Sequence, residues 1–346
     1  MFSLRIFILF SAFLLLCGCG NKNSNSDTVD IKGTAAEIKS SAIPNDFYFV
    51  GIIGENPGLY KFNAKKKTAA RFWSNKKEKV VELSYSSDRK NIFFLTASDF
   101  GKKGVFPFIS NVKLYLINLD SSKVKFVQKI GGGLQIFTTW TTDNTFKVIL
   151  NSFDRTVVTY VNQQTFIFSQ FGRELVNNSK IFDITKDGYP KPPEKLIKDY
   201  SPNKIFRIIS RDSSTTKIYL RTKTEETLIV SLDQKLNQVE WSPDEKYLFL
   251  STIDITPRNK TLYDRQPNTS KIFLYDLKQK KIIKTFIGSG VKNFFINKVF
   301  LIFDDGFEKN SSIQIFNYKN HEPVQTIKIK GGCGLRNIPQ IPDYSA

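Results

Sequence analysis

Short runs of alternating or unbroken apolar residues, most of them closed by Asn or Asp, recur along the chain as GLYKFN, KLYLIN, VTYVN, KIYLRT, KIFLYD and IQIFN. They end at Asn63, Asn118, Asn162, Thr222, Asp276 and Asn317, a mean step of about 51 residues, which is the scale of a repeat built from one supersecondary unit. A period of two, or a short apolar run bounded by turn residues, marks a strand. Most copies lead through a polar turn into a second strand: AKKK into TAARFW, LDSS into KVKFVQKI, LKQK into KIIKTFI. Another hairpin pattern precedes several of them, in LSYSSDRKNIFFLT, TTWTTDNTFKVIL, KDYSPNKIFRII and VEWSPDEKYLFLST. Two hairpins make a four-stranded unit, and six such units account for nearly all of the chain after Pro44. β-branched and aromatic residues dominate, and no long 3.6-residue period follows the apolar N-terminus, so helical architectures are excluded.

The stretch WSPDEKYLFLS, Trp241 to Ser251, is similar to the W-S-P-D-G-K repeat of TolB-type, WD-repeat-like β-propellers, and DYSPNK at Asp199 to Lys204 is a second copy. Copies around Asp88 and Asp143 depart further, and Glu245 stands where the family has Gly. The resemblance implies an all-β chain folded as a single β-propeller of six four-stranded blades over residues 45–346. Pro243 and Asp244 would start a tight turn, Trp241 would anchor it to the neighbouring blade, and Leu248 to Leu250 would be buried. The first unit lacks the strand that should precede FYFVGII. The C-terminal KGGCGLRNIPQIPD resembles the segment IGGGLQIFTTWTTD, so Leu335 to Ile341 are expected to supply that strand and close the ring, which removes exposed sheet edges.

At the N-terminus the apolar run Ile6 to Leu16 follows a single Arg5. It is too short for a membrane-spanning helix, which needs about 20 residues, and reads as a signal-peptide core. Leu16, Cys17 and Gly18 before Cys19 resemble the bacterial lipoprotein box. The resemblance implies a signal peptide over residues 1–18 and acylation (palmitate) of Cys19 as the first mature residue. Gly20, where Asp would retain the protein at the inner membrane, implies the outer membrane of the bacterial cell envelope. Residues 19–44, rich in Asn, Ser, Asp, Lys and Thr, carry too few apolar residues to fold and are expected to be a flexible, disordered tether.

The balance of 51 Lys and Arg against 32 acids gives a formal net charge of +19, a field that attracts polyanions; an A/T-rich coding sequence would supply the same excess of lysine. Export makes nucleic acid an unsuited partner and leaves envelope proteins, anionic glycans and lipid headgroups. In a propeller the turns within each hairpin share one face. Here that face would carry Lys65, Lys66, Lys67, Arg89, Lys90, Lys246, Lys278, Lys280 and Lys281. The opposite face would receive three long connections, Ala97 to Asn111, Glu174 to Leu196 and Thr252 to Ser270. These hold Phe100, Phe106, Phe108, Tyr189, Tyr263 and Arg265, residue types that anchor protein interfaces.

Catalytic chemistry is sparse. The single histidine, His321, sits in the turn YKNHEP, and no serine-nucleophile, zinc-protease or phosphate-loop motif is present. Gly131 to Gly133 follow a strand without opening a helix and read as a turn; Cys333, after Gly331 and Gly332, reads likewise. Losing Cys17 and acylating Cys19 leaves Cys333 without a disulfide partner. Asp304, Asp305 and Asp254 read as solvated loop acids. No catalytic residue, metal or cofactor is expected. The leading expectation is a membrane-anchored envelope lipoprotein acting as a non-enzymatic, protein-binding propeller scaffold. The alternatives are a propeller hydrolase or lactonase with carboxylates at the central channel, and a binder of anionic glycan or lipopolysaccharide.

Overall fold

The computed structural model describes residues 28–29, 46–86, 90–103, 106–141, 143–153, 159–188, 190, 200–201, 203–212, 215–232, 234–253, 269–289, 294–296, 299–305 and 311–334. All the regular structure among them is β, every strand pair is antiparallel, and among these described residues no helix is long and apolar enough to cross a membrane.

Six units follow one another along the chain. The first holds β2 (Phe47–Ile53), β3 (Asn56–Asn63) and β4 (Thr68–Trp73). The second is β5 (Lys79–Tyr85), β6 (Asn91–Ala97), β8 (Phe106–Asn118) and β9 (Lys123–Gly133), with β7 (Asp99–Lys103) as an extra strand on β8. The third is β10 (Gln135–Trp140), β11 (Phe146–Phe153), β12 (Tyr160–Phe168) and β13 (Glu174–Asp183). In the fourth, β14 (Arg207–Asp212), β15 (Thr216–Arg221) and β16 (Glu226–Leu232) pair in order, and a single bridge joins Tyr200 to Arg207. The fifth is β17 (Lys235–Trp241), β18 (Tyr247–Ile253), β19 (Thr269–Asp276) and β20 (Lys281–Ser289). The sixth is β21 (Phe294–Ile296), β22 (Phe300–Asp305), β23 (Ser311–Asn317) and β24 (Glu322–Gly334).

The two ends meet. The last residues of β24 leave β23 and pair with β2, Ile52 opposite Lys330 and Val50 opposite Gly334, fusing the first and sixth units into one sheet. Hydrophobic clusters join units one and two, two and three, four and five, five and six, and six and one. The protein is therefore a single six-bladed β-propeller. Lys330 to Gly334 join the ends as the continuation of an outer strand, and Leu335 to Ile341, expected to supply the closing strand, lie outside the described residues.

Burial explains which strands are apolar throughout. The second strand of a blade lies between two neighbouring blades, and β6 is buried at all seven positions. The outer strand β13 is exposed at most of its positions, its sequence being ELVNNSKIFD. This corrects the expectation that Glu174 to Leu196 form one long connection, since Glu174 to Asp183 complete the third blade. Gly131 to Gly133 and Cys333 also belong to strands rather than turns, β9 and β24, and Asp304 is a buried residue of β22 rather than a solvated loop acid. Within the span expected to be a tether, Thr28–Val29 form a short strand, β1, against the outer edge of β4, with Thr28 opposite Ala70 and Val29 opposite Ala69. An exposed edge of this kind offers unpaired backbone groups that a passing segment can satisfy.

The recurring Asn or Asp closes the outer hairpin. Asn63 Oδ1 accepts the Lys66 amide at 2.8 Å, Asn118 that of Ser121 at 3.0 Å, Asp276 that of Gln279 at 2.8 Å and Asn317 that of Asn320 at 3.1 Å. Such side-chain turns fix the backbone without help from the core. In the inner hairpin the hydroxyl does the work: Ser242 Oγ accepts the amides of Lys246 and Tyr247, and Ser201 Oγ accepts that of Phe206. Glu245 has φ +52°, a left-handed conformation, and its carboxylate accepts the Asn203 amide of the preceding blade at 2.9 Å. Left-handed backbone costs a non-glycine residue about 1–2 kcal/mol. Glu245→Gly regains this and loses the inter-blade hydrogen bond, so its stability in urea should stay within about 1 kcal/mol of the parent; a loss twice that size would show the tie to be worth more than the strain.

Candidate functional site

Two faces result from the up-and-down strand order. One carries the turns inside the hairpins; the other carries the connections from second to third strand and from blade to blade. On the latter, β7 continues past the end of β6 and pairs with the first part of β8 from Asp99 opposite Ser110 to Lys103 opposite Phe106. The connection expected at Ala97 to Asn111 is thus a β-ribbon standing out from the second blade, tied at its base by the hydrogen bond from the Ser98 amide to the Ser110 carbonyl. Phe108 is half-buried in it, opposite Gly101, and the Phe106 backbone lies at its tip. Tyr189, Tyr263 and Arg265 lie outside the described residues, as do Cys19, Asp254 and residues 254–268 of the connection in the fifth blade.

Beside the ribbon, on the same face, a notch opens between blades one and two. Val50, Pro57, Trp73 and Val80 form its apolar wall, and Ser74, Asn75, Glu78 and Lys79 its polar one. Its enclosed volume is about 10 Å³, room for a single water. Trp73 is held against Phe94 at 5.3 Å and Tyr115 at 5.5 Å between ring centroids. Gly58 is required here by close approach, because a Cβ would lie 2.8 Å from the Trp73 carbonyl oxygen.

Beneath the notch lies Glu78, whose side chain is 6% exposed. It accepts hydrogen bonds from Lys113 Nζ, from Thr96 Oγ1 at 2.8 Å and from Tyr115 OH at 3.2 Å. Burial alone would raise its pKa, but the bonds from Lys113, Thr96 and Tyr115 and the Lys113 charge outweigh it and hold the carboxyl below the ordinary range. Burial, then the adjacent Glu78 carboxylate, push the Tyr115 phenol up to about 12. Burial lowers Lys79. Glu78 therefore stays ionised and Tyr115 stays protonated near neutral pH, so neither is poised to exchange a proton. The arrangement fastens the blade-to-blade connection to the second blade. Among the described residues, no three His, Cys, Asp or Glu side chains gather closely enough to hold a metal ion.

The opposite face is the lysine-bearing one. Lys65, Lys66, Lys67, Lys246, Lys280 and Lys281 are all exposed. Carboxylates temper part of this charge: Lys280 reaches Glu225 at 2.9 Å, and Lys319 reaches Asp244 at 3.1 Å, each joining neighbouring blades. His321 occupies an exposed turn at φ +59°. Sequence reasoning missed Glu78, which stands among lysines in SNKKEK, and the basic side of the fourth blade, although RIISRD and KIYLR both place cations four residues apart around apolar residues.

No protein-family model matches the chain, and no curated protein matches it. Solved structures are similar at low identity. TolB from Acinetobacter baumannii is 12% identical over 82% of this chain, with a TM-score of 0.40, and the chain spans 65% of that TolB chain. A chain of the nidogen/laminin complex is 10% identical over 82% of this chain and 94% of its own, with a TM-score of 0.39. A functionally unknown protein from Desulfotomaculum acetoxidans DSM 771 is 12% identical over 82% of this chain and 97% of its own, with a TM-score of 0.42. The strand order described above defines the fold.

Proposed function

We propose that this protein is a non-enzymatic scaffold of the bacterial cell envelope, acylated at Cys19, that binds other proteins through the face carrying the β7–β8 ribbon. The observation that carries this reading is the ribbon itself: the chain extends a blade by five residue pairs, from Asp99–Ser110 to Lys103–Phe106, where a short turn would have connected the strands. A connection of that length in a compact domain serves binding more often than folding. The neighbouring notch favours the same reading, since its volume admits one water and its one carboxylate, Glu78, is held ionised by Lys113, Thr96 and Tyr115. Anchoring rests on the lipoprotein-box resemblance at Leu16 to Cys19, and several acyl chains would give stable attachment where one would not.

Cross-linking the intact protein in its own cells, followed by mass spectrometry, tests the reading. Protein partners linked within residues 99–110 or 254–268 are expected; recovery of the protein alone, or with glycan, overturns it. Palmitate labelling that disappears in Cys19→Ser is the expected result for the anchor, and labelling that persists would refute the site.

A further inference from the structure

The outer strand of each blade is a sheet edge, and the six edges are not alike. β4 is taken by β1. β9 carries Lys123, Lys125 and Lys129, β20 carries Lys281 and Lys284, and β24 carries Pro323, Lys328 and Lys330; lysine and proline on an edge strand discourage pairing with another chain. That leaves β13 and β16. β16 has 7 residues, broken in its middle by a register shift opposite Ile218 and Tyr219. β13 has 10, and its shift falls at its start, opposite Phe168, so Val176 to Asp183 run in unbroken register with β12.

Which backbone groups of β13 are free follows from this pairing. The Ile184 amide donates to the Thr159 carbonyl at 2.9 Å. In an antiparallel ladder alternate residues spend both backbone groups on one neighbour, so Val176, Asn178, Lys180 and Phe182 turn theirs to β12, while Asn177, Ser179 and Ile181 turn theirs outward. Asp183 ends the outward row, because its amide is held by the Asp187 carboxylate and its carbonyl accepts the Lys186 and Asp187 amides. The chain leaves the rim there, and Pro190 is already buried. Asn177 to Ile181 are exposed at every position. Among the described residues no strand but β12 pairs with β13, and no further hydrogen bond reaches Asn177, Ser179 or Ile181 beyond the one from the Gln164 side chain to that of Asn177.

We propose that β13 pairs with β13 of a second copy of this chain, antiparallel about a two-fold axis at Asn178, so that two third blades become one sheet. This register sets Asn177 opposite Ser179 of the second copy and Leu175 opposite its Ile181. Leu175 and Ile181 are 50% and 63% exposed, and pairing covers both. Sliding by two residues loses the match: one direction sets Ile181 against Arg173, the other sets Leu175 against Asp183. Lys180 falls opposite Val176 and not opposite another lysine. A contact between identical surfaces needs such self-complementarity, and cross-strand apolar pairs stabilise a ladder where like charges weaken it. β13 lies at the rim of the ring, so the remaining blades curve away from the contact on both sides. The edge is short, and stable interfaces cover about 1,200 Å² or more, so association is expected in the micromolar range. This inference goes beyond the scaffold reading and uses neither the ribbon nor Cys19; either can fail with the dimer intact.

The test uses the full chain in detergent micelles, with Cys333→Ser removing a competing thiol. Two Asn178→Cys chains should join by a disulfide under mild oxidation, because residues facing each other at a non-hydrogen-bonded site have Cα atoms about 4.5 Å apart, within reach of that bond. Lys180→Cys should not, since its two copies stand about 13 Å apart along the paired strands. Ser179→Pro removes an outward amide and leaves the ladder to β12 whole. A melting temperature near that of the parent shows that this variant folds, and sedimentation should find its dimer weaker by about tenfold or more. Equal cross-linking from positions 178 and 180, a dimer that Ser179→Pro leaves unchanged, or a parent that stays monomeric into the high micromolar range overturns the proposal. If Asn178→Cys is captured in cells on a different protein and never on its own copy, the edge takes a foreign strand and the second copy is the wrong occupant.

Discussion

Gly133→Val should destabilise the propeller by about 3 kcal/mol or more, at or beyond the upper end of the usual cost of overpacking. A Cβ at this position would lie 2.4 Å from the Asn151 carbonyl oxygen and 2.8 Å from Leu150 Cδ1. The first of these is backbone in β11 and cannot swing aside. Gly133 ends β9 opposite Ile109, and the next amide, that of Leu134, donates to the same Asn151 carbonyl at 2.7 Å as the chain enters the third blade. Any retreat therefore pulls apart two blades that share the cluster around Phe93, Trp140 and Phe146. In thermal unfolding the midpoint should fall by roughly 6–12 °C, taking 2–4 °C per kcal/mol for a domain somewhat smaller than this one. Gly54→Asn is the control, because nothing lies within 4 Å of its added Cβ and asparagine tolerates the left-handed backbone at φ +62°. A Gly133→Val variant as stable as that control would mean the two blades are not held at this distance.

The same glycine segment shows what was legible in the sequence. IGGGLQIF and KGGCGLRN look alike because both carry an outer strand on into the next blade, the second of them across the closing seam between β24 and β2. The resemblance was visible; which residues make the pairing was not. β24 reaches β2 at Lys330 to Gly334 because a strand can continue straight from one blade to the next, a choice fixed by three-dimensional register and not by composition; Leu335 to Ile341 lie outside the described residues.

Inner strands were easy to recognise because blades cover both their faces, so FYFVGII, NIFFLTA and YLFLSTI read as unbroken apolar runs. The outer strand β13 was hidden for the opposite reason. Solvent meets most of its positions, and ELVNNSKIFD carries no period to read. The Asn and Asp that end the third strands were seen as a recurrence, and the turns explain them: Asn63, Asn118, Asp276 and Asn317 each hold the amide three residues on.

Glu78 was the least legible residue of all, since its partners come from Thr96, Lys113 and Tyr115, 18 to 37 positions away. Glu78→Leu should cost about 2 kcal/mol at neutral pH. Breaking a fully buried pair costs about 3–5 kcal/mol. Here the Lys113 side chain is 33% exposed and retains water, so the loss is smaller. Thr96, with 0% exposure, is left without its acceptor. The pH dependence has a fixed sign. Because the folded-state pKa of Glu78 lies below the ordinary glutamate value of 4.5, the unfolded chain takes up the proton first as pH falls. The stabilisation is complete above that value and is lost as pH drops through the folded-state pKa. Urea unfolding at pH 7 should therefore separate the parent from Glu78→Leu clearly, and the gap should narrow steadily below about pH 4.3. A gap that stays constant down to pH 3 would show that the carboxyl group acts through its shape alone, and that its charge does not fasten the connection between the first two blades.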